Sequence, residues 1–511
     1  MKIFTESNLC TFIVFLFALT ILFLIPFHEM WGDELQAWLI GKNSSTFFEL
    51  ISNSRYEGSG ALWHLMLYFL AKFFKPESMQ YLHLMISTAS VYLIMKHSPF
   101  TLTQKILLTF SYFIFFEYSL IARNYSIGVF LIFAFCVLFE RRKSSPLLLI
   151  SILILLAHTS IYGLILSICS FLTLILDRIR EPNHSKIQTK AFLSRSDILS
   201  LAIYLVGVTV AILQISPPPD ASFMSRWFFY LDFEQGARVF QAIINAYLPL
   251  LSMDINFWDR SVLADNTLLA LLTLPIIAII FFIFIRYFRS NINSLFFFIL
   301  STGSILLFMY LKYAGAIRHH GFLFIVLVSA LWIFYSKNKR HFKPDRFLGS
   351  IKLINPSILF TSILTLHLIS SFTAVNGEIK YEFSAAKSTA IFLKENNYEN
   401  YELISSAGVA TGISGYLDGK ELFIIDENRY ASFRVWNLEN YIKIDYESIK
   451  RIIDNKDFLN NSLLILGFSL EEEFKNRNKI SKVFESEDSI IGEKIFVYSL
   501  EKNNFKELRD K

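Results

Sequence analysis

The residues equipped for chemistry fall in a few short segments. In HEMWGDELQAWLIGK, Asp33 and Glu34 stand side by side, and Trp31, Leu35, Trp38 and Leu39 repeat at helical spacing. That pattern reads as an amphipathic helix along a membrane surface, with two carboxylates at the lipid–water boundary. A carboxylate there can take the proton of an attacking hydroxyl. Acidic residues are also favoured at any helix N-terminus by the helix dipole. Glu57 opens EGSGALW just before an apolar run, where a solvated loop end is the plain alternative. In FFEYSLIARNYSIG, Glu117 and Arg123 lie between apolar runs, with Tyr125 just beyond. Ionisable residues at membrane depth pair with one another or line a cavity. The segment therefore reads as a Glu117–Arg123 ion pair or as an anion-binding Arg123. His158 stands inside a long apolar stretch, where a core imidazole competes with a functional one. Arg318-His319-His320 opens another apolar run, at an end where membrane proteins seldom place cations. Carboxylates and cations gathered at one membrane face would deprotonate one group and neutralise an anion.

The elements that must position these residues are mostly membrane spans. Of 511 residues, 54% are hydrophobic, 18% are charged and 53 are Phe. A soluble chain cannot bury that much apolar side chain, so much of it faces lipid. This excludes a soluble enzyme, a disordered chain, a disulfide scaffold and a nucleic-acid binder. Cys10, Cys136 and Cys169 show no C-x-x-C spacing and read as small apolar filler. Residues 11–27 form a retained first span. Further runs read at 60–74, 80–95, 104–121, 125–139, 197–215, 266–286, 293–311, 318–336 and 354–373, and 147–176 reads as two passes meeting at His158. Basic loops at 140–143, at 178–195, around Arg286 and Arg289, and at 337–346 mark the cytoplasmic side. Residues 28–59, 216–262, 312–317 and 374–511 then lie outside. Twelve passes would return the C-terminus inside, so an odd number is required. A thirteenth pass is expected between Ser98 and Arg123.

At about Thr373 the character changes. Residues 374–511 hold 24 acidic and 19 basic residues. Helical SAAKSTAIFLKENN is followed by short apolar runs YELISS, ELFIID, SLLILG and KIFVYSL, which alternate with helix-length segments. This predicts a small soluble α/β domain. Gly408, Gly412, Gly415 and Gly419 follow its first strand without G-x-G-x-x-G spacing and read as turn and packing glycines. The fold expectation is thus a multi-pass helical membrane protein of about 13 passes (residues 1–373) with an extracytoplasmic α/β domain (374–511).

Asp-Glu after the first span, an acid before the second, many short passes and a soluble outer C-terminal domain resemble the GT-C glycosyltransferases. The similarity is greatest to the bacterial aminoarabinose transferase and protein O-mannosyltransferase group. It covers the whole architecture, but its motif content is confined to residues 28–64, with echoes at Ala122–Ser126, His158 and Arg318–Gly321. The resemblance implies transfer of a sugar from a polyprenyl-phosphate carrier to a lipid, glycan or protein acceptor outside the cell membrane (the inner membrane, in a bacterium). It makes Asp33 the catalytic carboxylate, assisted by Glu34 or Glu57. Arg123, Tyr125, His158, Arg318, His319 and His320 become the donor-phosphate set. Many relatives follow the second acid with Pro-Pro or Lys-Pro; here Gly58-Ser59-Gly60 stands instead. A divalent metal ion is compatible with these acids, although no tight ligand motif occurs. The competing class is a transporter or flippase of lipid-linked sugars, which would place polar residues near the bilayer midplane in two related halves.

Overall fold

The computed structural model describes residues 6–180, 195–222, 227–336, 355–437, 444–454, 462–478 and 480–500. Lys186, Lys190, Arg226, Lys337, Lys339, Arg340, Lys343 and Arg346, on which part of the loop reading rests, lie outside the described residues.

The first part of the chain is helical. Its elements are α1 (Glu6–Leu24), α2 (Gly32–Asn43), α3 (Phe47–Ser54), α4 (Leu62–Leu70), α5 (Ser78–His97), α6 (Leu102–Thr109), α7 (Tyr125–Phe139), α8 (Pro146–Ala157), α9 (Ile161–Ile179), α10 (Arg195–Ile215), α11 (Phe233–Tyr247), α12 (Thr267–Phe288), α13 (Ile292–Leu311), α14 (Ile317–Ser336) and α15 (Pro356–Lys380). Among the described residues, seven helical segments are long and apolar enough to cross a membrane. They are the α1 segment Glu6–Phe27 together with α9, α10, α12, α13, α14 and α15; α7 and α8 are shorter and equally apolar. Leu and Phe face outward along α1, α10 and α12, as lipid contact requires. By contrast, 89% of an 18-residue apolar stretch of α14 is enclosed by its neighbours, so the helix that carries Arg318-His319-His320 in its first turn is the central helix of the bundle.

The expected pass at 60–74 is not one. Helix α4 has nine residues, about 14 Å at 1.5 Å per residue, against a hydrocarbon layer of ~30 Å. Its two flanks also return to the same end. Lys96 at the close of α5 donates to the Ser7 carbonyl (2.8 Å), while Gln80 at its start donates to the His28 carbonyl (3.3 Å), so α5 runs antiparallel beside α1. The chain thus leaves α1 and enters α5 at one end. Removing 60–74 from the twelve runs makes the count odd without an added pass. The region between Ser98 and Arg123 supplies no second pass either. It is α6, a break, and one π-helical turn, Tyr112–Glu117.

Helix α15 runs past the expected boundary at Thr373 to Lys380, because Glu378 is buried there against His28. The C-terminal domain follows with α16 (Ala386–Glu395), β1 (Glu402–Ser405), α17 (Ala407–Tyr416), β2 (Leu422–Ile424), β3 (Arg429–Ala431), α18 (Tyr446–Asp454), β4 (Ser462–Leu466), α19 (Glu472–Asn478), β5 (Ser481–Glu485) and β6 (Phe496–Ser499). The sheet order is β3-β2-β1-β4-β6-β5, with β2, β1 and β4 parallel and the outer strands antiparallel. Every residue of central β4 is buried, which explains its uninterrupted apolar run SLLIL. Of the glycines after β1, Gly412 and Gly415 are packing glycines and Gly419 is a turn glycine. A Cβ at Gly415 would come within 2.7 Å of the Leu35 side chain, and Gly419 turns the chain at φ +78°. With its Gly face, α17 lies directly on α2. Lys42 adds a bond to the Asp418 carbonyl (2.5 Å), and Asn43 donates to Ser432.

Candidate active site

Helix α2 starts where it does because Glu34 folds back to accept the Trp31 backbone N–H (3.1 Å), closing the first turn. Glu34 also accepts from the Ala122 N–H (2.6 Å) and pairs with His28 Nε2 (3.1 Å). The other nitrogen of His28 meets Glu378 at 2.7 Å. All three side chains are fully buried. Burial alone would discharge His28, but Glu34 and Glu378 more than offset it and raise its pKa to about 10. The cluster pins the end of α1, the start of α2, the bend before α7 and the last turn of α15 to one another. Glu34 therefore has its oxygens engaged by structural donors.

Asp33 is one residue earlier, about 100° round the helix, and faces a different side. Its carboxylate is 41% exposed and forms a 2.5 Å ion pair with Arg123. The alternative Glu117–Arg123 pair does not form. Glu117 is buried and accepts from the Tyr112 hydroxyl (2.9 Å) and the Trp258 indole N–H (3.1 Å). Arg318 has its own carboxylate, Asp259, at 3.0 Å, and Asp259 also accepts the Ile317 N–H (2.9 Å). Burial pushes the Asp259 carboxyl up, and Arg318 opposes the shift. Trp31 stands between the two cations, with Arg123 5.8 Å and Arg318 5.5 Å from its ring. Trp258 closes the far side of Arg318 at 5.1 Å. Arg318 Nε and Trp31 Nε1 are buried donors without a hydrogen-bond partner.

Tyr125 lies beside Arg123, its ring 5.9 Å from the guanidinium. Its hydroxyl is 2.8 Å from His319 Nε2, and His319 Nδ1 receives the Ala316 N–H at 2.8 Å. An acceptor Nδ1 puts the imidazole proton on Nε2. His319 therefore donates to Tyr125 and leaves the Tyr125 proton for another acceptor. His320 is turned away; its ring lies between the Asn245 amide (3.3 Å) and the Ala314 carbonyl (3.0 Å). The His158 ring faces the Gly207 backbone on α10. What His158 offers this region is its carbonyl, which accepts the Leu62 N–H (3.3 Å). A Cβ at Gly60 would overlap that carbonyl at 1.9 Å, and Gly58 adopts φ +60°. The Gly58-Ser59-Gly60 departure thus has a local reason: the chain passes too close to His158 for a side chain. Of the expected phosphate set, the structure brings together Arg123, Tyr125 and Arg318, places His319 behind Tyr125, and leaves His158 and His320 outside.

Glu57 is partly buried beside Asp33 and Arg123. Its carboxylate accepts from the Gln36 amide at 2.9 Å. Burial lifts its pKa to about 7; the Gln36 bond pulls the other way, the Asp33 charge adds to the rise, and Arg123 opposes it. Gln36, three residues after Asp33, escapes a search for titratable groups, although helical spacing places it on the Asp33 side. Trp258 and Asp259 lie in the 216–262 loop, whose aromatic cluster marks the loop but not these positions. Glu378 carries the one readable signal, an acid in the last turn of an apolar helix. The 216–262 loop also touches the C-terminal domain, since Asn256 donates to the Ser489 carbonyl (3.0 Å). The loop therefore both caps the site, through Trp258 and Asp259, and packs on that domain.

A divalent ion does not fit these side chains as they stand. Among the described residues no three His, Cys, Asp or Glu side chains converge as a ligand set. Asp33 is engaged by Arg123, and Glu34 by His28 and two backbone donors. Fold and site together define a multi-pass helical membrane protein that gathers two arginine–carboxylate pairs and unpartnered donors at the end of the bundle that carries its C-terminal domain. No family model matches the chain, and no curated protein matches it.

Proposed function

We propose that the protein is an integral-membrane glycosyltransferase of the GT-C type, which moves a sugar from a polyprenyl-phosphate donor to an acceptor on the extracytoplasmic face. The observation that carries this reading is the pairing around Trp31: two arginines and two unpartnered buried donors converge beside Asp33, a half-exposed carboxylate. Such a donor set suits a phosphate, which can take charge-assisted bonds from both guanidinium groups. As the phosphate engages Arg123, the Asp33 carboxylate is released to face the acceptor. The acceptor hydroxyl then gives its proton to Asp33, its oxygen forms the new bond to the anomeric carbon, and the bond from that carbon to the phosphate oxygen breaks. The electron pair leaves with the polyprenyl phosphate, whose charge Arg123, Arg318 and the Tyr125 hydroxyl hold. One displacement inverts the anomeric configuration. No step passes through a metal.

The test is transfer in vesicles or detergent, with mass analysis of extracytoplasmic lipids and glycans from cells with and without the protein. Asp33→Asn is expected to fold and to abolish transfer; wild-type transfer by this variant overturns the assignment of Asp33. Arg123→Ala and Arg318→Ala are expected to weaken binding of polyprenyl phosphate tenfold or more, and unchanged affinity in both overturns the phosphate site. Translocation of lipid-linked sugar without loss of sugar from the carrier would instead favour the flippase class.

A further inference from the structure

The C-terminal domain reaches the site along one short segment. At residues 434–437 it lies across both outer loops of the membrane part. The Gln36 amide pairs with the Arg434 backbone on both of its sides: Nε2 donates to the Arg434 carbonyl (2.6 Å) and Oε1 accepts the Arg434 N–H (3.0 Å). Thr411, on α17, adds a second donor to Oε1 (3.4 Å). This double contact fixes which end of the amide is nitrogen, since a flipped amide would set N–H against N–H. The second proton on Nε2 is thereby aimed at Glu57 (2.9 Å). Farther along, Trp436 accepts the Ser222 N–H (2.8 Å), and Asn437 forms an antiparallel bridge with Ala221. Asn437 also donates to Asp220 (2.9 Å), which accepts the hydroxyl of Tyr56 (3.0 Å), the neighbour of Glu57. The turn that carries Glu57 is therefore tied twice to the same four residues, which follow it by about 380 positions in the chain.

We propose that residues 434–437 are a strap that positions the Glu57 carboxylate through Gln36, which makes the C-terminal domain a working part of the active site. The claim rests on reading Glu57 as a functional carboxylate of the transferase. Glu57 is the group positioned, and Gln36 acts only through it. Asp33 on α2 and Arg123 before α7 are the charged groups that face Glu57.

The experiment reads Glu57 directly in the full-length protein, without substrate. The protonated carboxyl band is followed by infrared difference spectroscopy across pH and assigned by its loss in Glu57→Gln. Gln36→Met removes the bond to the charged form, so the titration midpoint is expected to rise by about one pH unit. Arg434→Pro deletes the backbone donor that orients Gln36 and is expected to raise the midpoint in the same direction. The double variant should move it no further than Gln36→Met alone, because both cut one path. An unmoved midpoint in Gln36→Met, an unmoved midpoint in Arg434→Pro, or an additive double variant overturns the strap. If Arg434→Pro does not fold, Asn437→Ala cuts the second tie and keeps every backbone donor; a smaller upward shift supports the strap and no shift overturns it. Should Glu57→Gln retain full transfer while Gln36→Met still moves the midpoint, the strap stands and the catalytic reading of Glu57 falls.

Discussion

Asp33 and Glu34 are consecutive carboxylates with opposite duties, and substitution separates them. Asp33→Asn removes a half-exposed partner of Arg123 and is expected to cost activity with little stability. Glu34→Gln disturbs a fully buried cluster, and breaking such a pair costs about 3–5 kcal/mol. It should lower the thermal unfolding midpoint while Asp33→Asn leaves it near wild type. Glu57 adds a pH dependence. Its folded pKa of about 7 lies above the ordinary carboxyl value, so the folded state holds a proton that the unfolded chain has released. Stability should therefore fall as pH rises from about 4.5 toward 7. If transfer needs the ionised form, the rate should fall as pH drops below 7. Glu57→Gln should flatten the stability slope in that window; a slope unchanged in the variant would assign it to another group. Residue type and spacing do not distinguish Asp33 from Glu34, since both are acids in the first turn of one helix; only the family resemblance singles out Asp33. The distinction comes from Ala122 and His28, which reach only Glu34.

At the level of elements, two close contacts govern how α2 is held. Gly415 lets α17 approach Leu35, and Gly60 lets the chain pass the His158 carbonyl. Gly415→Ala inserts a methyl group into a filled contact, an overpacking worth roughly 1–3 kcal/mol. It should lower the unfolding midpoint, and Leu35→Ala in the same chain should restore part of the loss. Failure of the second substitution to compensate would show that Gly415 acts elsewhere. Gly60→Ala has no such escape, because the atom it meets is backbone, and folded yield is expected to drop sharply. The strands YELISS, ELFIID, SLLILG and KIFVYSL are legible because buried strands of a mixed sheet are short and mostly apolar. Strands β3 and β5 are not, because edge strands carry polar residues and leave no such run. Helix α4 misleads for a related reason: an apolar run can serve to bury a helix on the α2 side rather than to cross a bilayer.

For the whole molecule, the start of α1 and the C-terminal domain lie at opposite ends of the helical bundle. Tag accessibility should find Gly32 through Lys42 on the same side as the C-terminal domain, shielded by α17 and not cytosolic. Labelling of that segment from the cytosol would overturn both the orientation and the proposed chemistry. The exposed Trp227, Phe229, Leu231 and Phe233 continue from the end of α13, where Leu311 accepts the Phe228 N–H. That placement suits a segment at the interface, where aromatic side chains are favoured.

Sequence alone determined the membrane character and the small α/β domain, because hydropathy and strand length are local properties of a chain. It could not determine which carboxylate is half-exposed, which histidine stands behind a tyrosine, or that the Arg434 backbone holds Gln36 against Glu57. Those outcomes depend on hydrogen bonds between positions from 88 to 398 residues apart, and only the packed bundle brings their donors and acceptors within reach.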